Sequence, residues 1–172
     1  SMTGIGSNAR ANQRAALCTY SGPMLDATLT GVNRRWKVDP AWRSVTISDR
    51  GGPSAAYMSM YDQQLRYKFN VCIDGHSAPD RMGVLFNGRQ SILKVQSPPY
   101  ALAPNGWASD FVHAWEHYVP VKRDLSDLLD GVQWLMDNDD SAQDMAKRCT
   151  AMHEHYMTRA SIVEWWRLVT AL

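Results

Sequence analysis

Apolar positions fall in short, densely apolar runs through the first two thirds of the chain and in helix-spaced stripes through the last third. Residues 9–17 are rich in helix formers, with Asn8 placed to cap them. Residues 24–30 read as a short strand between Ser21-Gly22-Pro23 and Gly31, and residues 44–47 as another. Residues 55–65 suit a short helix. Residues 67–73 are β-rich and stop at Asp74-Gly75, a strong turn signal. Residues 80–86 form a helical segment ended by Asn87-Gly88. Residues 91–95 make a second buried-type strand, and residues 117–121 a third that contains Pro120. Beyond that, Leu125, Leu128, Leu129, Val132 and Leu135 recur at helical spacing over residues 125–136, with Asp124 and Asp127 in a capping arrangement. A further helix over 139–157 opens on Asp139 and Asp140. The last helix carries Ile162, Val163, Trp165, Trp166, Leu168 and Val169, a stripe most simply read as core. Strands alternating with helices predict an α/β fold with a mostly parallel sheet and a helix-rich C-terminus.

The 172 residues suggest one domain, and 45% hydrophobic content is ordinary for a globular protein. Eighteen Lys and Arg against seventeen Asp and Glu leave a net charge of +1. That argues against a nucleic-acid binder, because such binding runs on basic residues neutralising many phosphates. It leaves room for a small anion site. No apolar run is long enough for a membrane span. Cys18, Cys72 and Cys149 are widely spaced and form no CxxC, so they read as reduced core thiols.

Chemistry concentrates in a few places. Residues 74–81 join a strand end to a helix start, where open α/β sheets bind ligands. There Gly75 allows close approach, Ser77 offers a hydroxyl and Arg81 a planar fork suited to phosphate. The N-terminal Ser1, Thr3, Gly4 and Gly6, with Arg14 further on, form a second candidate anion loop. His113-Ala114-Trp115-Glu116-His117 matches the inverted zincin pattern, in which two His on one helix face hold zinc and the Glu acts as base. The pattern needs a continuous helix, and Tyr118-Val119-Pro120-Val121 would end one at His117. His153 and His155 point to different sides of a helix. Asp137, Asp139 and Asp140 lack the offsets of a calcium loop and read as helix capping.

Five blocks in order resemble glycosyltransferase family 90, the capsule-associated proteins that include protein O-glucosyltransferases and capsule xylosyltransferases. They are Ser1-Met2-Thr3-Gly4 with Asn12-Gln13-Arg14; residues 25–30; residues 67–75 with Arg81; Gly88 with Ser91-Ile92-Leu93-Lys94; and Trp115-Glu116-His117-Tyr118-Val119-Pro120-Val121 followed by Asp124-Leu125-Ser126-Asp127-Leu128. The family's Phe-Arg-Gly motif would lie just before Ser1. The resemblance implies a Rossmann-like half of a GT-B glycosyltransferase, with residues 1–172 as the single domain that binds the nucleotide-sugar donor. The N-terminal acceptor half, with the catalytic Asp, is expected to lie outside this chain. Chain start and missing half together suggest a fragment, or a short member that needs a partner.

Carried over by position, Ser1, Thr3 and Arg14 would face the donor phosphates from one side, and Ser77 and Arg81 from the other. His76, Ala78 and Pro79 would line the uridine or sugar, with Ser91 and Lys94 near the nucleotide. The expected reaction moves glucose, xylose or a related sugar from a UDP-sugar to an acceptor hydroxyl, with no metal and no other cofactor. Two other functions are open: a non-catalytic nucleotide-sugar-binding module, and a zinc hydrolase at His113, Glu116 and His117. Should the isolated chain turn over, Asp26, Asp74 and Glu116 are its candidate bases. The compartment, secretory or cytoplasmic, stays open.

Overall fold

The computed structural model describes residues 13–27, 58–73, 81–97 and 111–171. Helix α1 (Gln13–Leu17) continues into a 3-10 turn at Cys18–Tyr20, and α2 (Met60–Arg66) leads into strand β1 (Phe69–Cys72). Helix α3 (Arg81–Phe86), strand β2 (Ser91–Val95) and strand β3 (Val119–Val121) follow. Three helices close the chain: α4 (Leu128–Asp137), α5 (Asp139–Tyr156) and α6 (Arg159–Thr170). The strands form a parallel sheet in the order β1-β2-β3, with Val71, Leu93 and Val119 in one row and Cys72, Lys94 and Pro120 in the next. The α/β class and the helical C-terminus are therefore as the sequence predicts.

β2 is buried at every position, the mark of a parallel strand covered on both faces. On one face Leu93, Val95, Val119 and Val121 pack against Leu125, Leu128, Val132, Leu135, Ala142 and Met145, with Ala16, Leu17, Tyr20 and Leu25 against the same cluster. On the other, Cys72 and Ile92 meet Met82, Leu85 and Phe86 of α3 and Cys149 of α5. Gly131 lets α4 come close. A Cβ there would stand 3.0 Å from Leu93 Cδ2 and 3.4 Å from Val119 Cγ1. Pro120 lacks an N–H but sits on β3, which among the described residues pairs only with β2. Cys18, Cys72 and Cys149 are all buried. Burial pushes the Cys149 thiol up to about 12, as expected of a core cysteine rather than a nucleophile.

Several predicted elements change. Helix α4 begins at Leu128, not Leu125, because residues 122–127 form a tight turn. In it Lys122 N–H donates to Asp127 Oδ1 (2.8 Å) and Ser126 N–H to Asp124 Oδ1 (3.1 Å), so neither Asp caps the helix. Leu125 adopts φ 63° in that turn yet is fully buried. A left-handed leucine costs about 1–2 kcal/mol, which burying its side chain, worth about 1.5–3 kcal/mol, offsets. Residues 24–27 make a turn and one bridge, Gly22 to Leu25, instead of a strand. Residues 44–47 lie outside the described residues. Asp139 caps nothing and instead pairs with Lys68 at 2.6 Å, tying the entry of β1 to the start of α5. The largest departure is α6, whose apolar stripe is exposed. Trp165, Trp166 and Leu168 are 57%, 56% and 64% accessible, so the core reading fails there.

This contrast sets a stability expectation. Leu135→Ala should cost about 2–5 kcal/mol, and Trp166→Ala less than about 1 kcal/mol. Urea unfolding of the two variants measures both, and equal losses would contradict the burial pattern.

Candidate functional site

In a parallel sheet the carboxyl ends of all strands share one edge, and open α/β sheets bind ligands outside it. Here that edge holds Ile73, residues 95–97 and the turn after Val121. Helix α1 lies across it. Gln13 Nε2 donates to Gln96 O (3.0 Å) and to Arg123 O (3.1 Å), spanning the ends of β2 and β3. The next residue, Arg14, donates from Nη2 to Ile73 O at the end of β1 (3.4 Å). Lys94, 2% exposed, curls its Nζ back to Val95 O (2.9 Å) and Ser97 Oγ (3.5 Å), at the same end of β2. Arg81 is half-buried and opens α3, the element that follows the β1 end in the described residues.

From α1 the chain runs back across the sheet face as a strap. Ala16, Leu17, Tyr20 and Leu25 pack on the core, and the far end is held where Tyr67 Oη donates to Asp26 Oδ2. Tyr67 precedes β1, so this second anchor is at the amino edge. The bond to Asp26, then burial, hold the Tyr67 hydroxyl above its usual range.

The structure thus brings Arg14 and Lys94 to one edge. Ser91 it places apart, at the amino end of β2, with its hydroxyl donating to Ala142 O (2.6 Å). Ser1, Thr3, His76, Ser77, Ala78 and Pro79 lie outside the described residues, as does Asp74. Gln13 is the residue whose part the sequence did not reveal. Its partners are backbone carbonyls 83 and 110 positions away, and no local pattern reports such a bond.

The His113 to His117 segment leads into β3 and so belongs to the opposite edge. It is a turn with Trp115 at φ 66°, not the continuous helix that the zincin pattern requires. Its bonds are those of a lock. His113 N–H donates to His117 Nδ1 (3.1 Å), Arg148 Nε donates to Glu116 O (2.8 Å), and Cys149 Sγ to His117 O (2.9 Å). The Trp115 ring meets Trp134 edge-on at 5.2 Å.

A family model described as Glycosyl transferase family 90 matches residues 6–171. The chain belongs to this family. It is 34% identical over 167 residues to Uncharacterized protein 035R of Invertebrate iridescent virus 3, covering 95% of this chain and 15% of that protein. It is 40% identical over 98 residues to human Protein O-glucosyltransferase 3, covering 54% of this chain and 17% of the relative. To Protein O-glucosyltransferase 2 of Danio rerio it is 34% identical over 95 residues, 55% of this chain and 18% of the relative. The chain therefore spans less than a fifth of the length of these three proteins. No helix among the described residues is long and apolar enough to cross a membrane. In this family 90 chain, the sheet edge bearing Arg14 and Lys94 is the candidate site that the parallel topology offers. The His117 lock serves the other edge.

The lock has a pH signature. Burial, foremost, lowers the His117 pKa from 6.5. The unfolded chain then binds a proton more readily than the folded one, so stability is full above about pH 6.5 and is lost as pH falls through the folded value. Denaturation midpoints followed between about pH 5 and pH 8 should slope less in His117→Gln than in the parent. Equal slopes would show that His117 is not responsible.

Proposed function

We propose that this chain is the nucleotide-sugar-binding portion of a GT-B glycosyltransferase that moves a sugar such as glucose or xylose from a UDP-sugar to an acceptor hydroxyl. The observation that carries the reading is Arg14, pinned beside the end of β1 on the edge where α/β sheets take ligands. A UDP leaving group gains negative charge as the glycosidic bond breaks. A guanidinium held in place beforehand stabilises that charge without reorganising, and its fork matches two phosphate oxygens. In this reading Arg14 and Arg81 meet the diphosphate from two sides, with Lys94 adding a buried cation behind the edge. Ser1, Thr3, His76, Ser77, Ala78 and Pro79, carried over from the family resemblance, complete the donor contacts in the same reading. Charge neutralisation then falls to arginines instead of a divalent cation. The carboxylate that takes the acceptor proton belongs, in the same reading, to the acceptor half of a two-halved enzyme.

Family membership supports sugar transfer in general, and the names of the O-glucosyltransferase relatives support glucose as a first donor to try. Near-neutral charge is compatible with a site built from a few cations.

Calorimetric titration with UDP tests the site. Arg14→Ala and Arg81→Ala should each weaken binding by roughly 10- to 100-fold, the range for a lost charge-assisted hydrogen bond of about 1.5–3 kcal/mol. Added EDTA should leave the parent affinity unchanged. Arginine variants that bind like the parent would sink the assignment, and a loss on adding EDTA would return a metal to the mechanism.

A further inference from the structure

We propose that Gln13 is a positioning residue, which acts on the donor phosphates by fixing Arg14; this rests on the donor-site reading above. Gln13 uses one side-chain nitrogen to reach two carbonyls, Gln96 O at 3.0 Å and Arg123 O at 3.1 Å. Those carbonyls lie just past β2 and β3, and Arg14 reaches the one just past β1, at 3.4 Å. Adjacent residues on one short helix therefore register α1 against all three strand ends.

α1 has only five residues, too few to hold its shape or place without tertiary contacts. Its apolar anchors, Ala16 and Leu17, are partly buried against the core and allow sliding along an apolar surface, because hydrophobic contact is not directional. A two-carbonyl hydrogen bond is directional and removes that freedom. A guanidinium must meet phosphate oxygens within a fraction of an ångström to form its paired bonds. Loss of Gln13 thus blurs Arg14 without touching the ligand. Gln13 is half-buried, and its bonds lie toward the surface, so its removal leaves the core intact.

The test is a double-mutant cycle read by UDP titration on the whole chain. Gln13→Ala should weaken binding by on the order of 3- to 10-fold, as for one hydrogen-bonded contact. In an Arg14→Ala background the same change should have almost no further effect, since the path through Arg14 is already gone. Gln13→Met, which keeps length and removes the donor, should behave as Gln13→Ala, with a thermal midpoint close to the parent's. A purely structural role would lower the midpoint and leave affinity alone at temperatures well below it. Unchanged affinity in Gln13→Ala and Gln13→Met, with Arg14→Ala weakened, would overturn the positioning role and leave the donor site standing. So would additive losses in the double variant. Arg14→Ala without effect would overturn the donor-site reading, and Gln13's role with it.

Discussion

Everything in this domain is arranged around the double burial of β2. A strand covered on both faces can carry no polar group that lacks a partner. Ser91 answers this by donating to Ala142 O of α5, and Lys94 by turning its ammonium to Val95 O and Ser97 at the strand end. Helix α5 is thereby bound to the amino end of the strand, and the cation is delivered to the other. The close approach of α4 at Gly131 follows from the same demand, because the helix must seal Leu93 and Val119 from water. One end of β2 therefore anchors a helix, and the other holds a buried cation.

The strap over residues 13–27 depends on that sheet as a floor. It is pinned by Gln13 at the carboxyl edge and by Asp26 to Tyr67 at the amino edge, with Leu17, Tyr20 and Leu25 between. Its composition is unremarkable, and its importance comes from what it crosses. The two edges divide the chemistry: cations gather at one, and a neutral buried histidine closes the turn at the other.

Where residues speak to near neighbours, the chain was readable. The β-rich run ending at Asp74-Gly75, the apolar 91–95 run and the helical spacing after Asp127 each produced the expected element. Arg14 and Lys94, picked from family blocks, do share an edge, while Ser91, picked on the same grounds, does not. Its alternation along β2 decides which face a side chain serves, and that face was visible only with α5 in place. Three misreadings share a cause. Leu125 looked helical because it is apolar at the right spacing, yet a left-handed backbone puts it in the core by another route. Asp124 and Asp127 looked like caps, but their acceptors are used within the preceding turn. The α6 stripe looked buried because spacing reports which residues share a face and not whether anything covers it. Gln13 is the extreme case, since its partners are backbone atoms with no side-chain identity to betray them.

The strap's two anchors also bear on the order of assembly. Closing a long loop carries an entropic cost that is repaid only once both ends have something firm to meet. Helices α4 and α5 are neighbours in sequence and find each other locally. The Gln13 bonds close spans of 83 and 110 residues, and they need the ends of β2 and β3 already side by side. The carboxyl edge is thus the last part of the described residues to become complete. A chain caught halfway through folding would possess its hydrophobic floor before it possessed that edge.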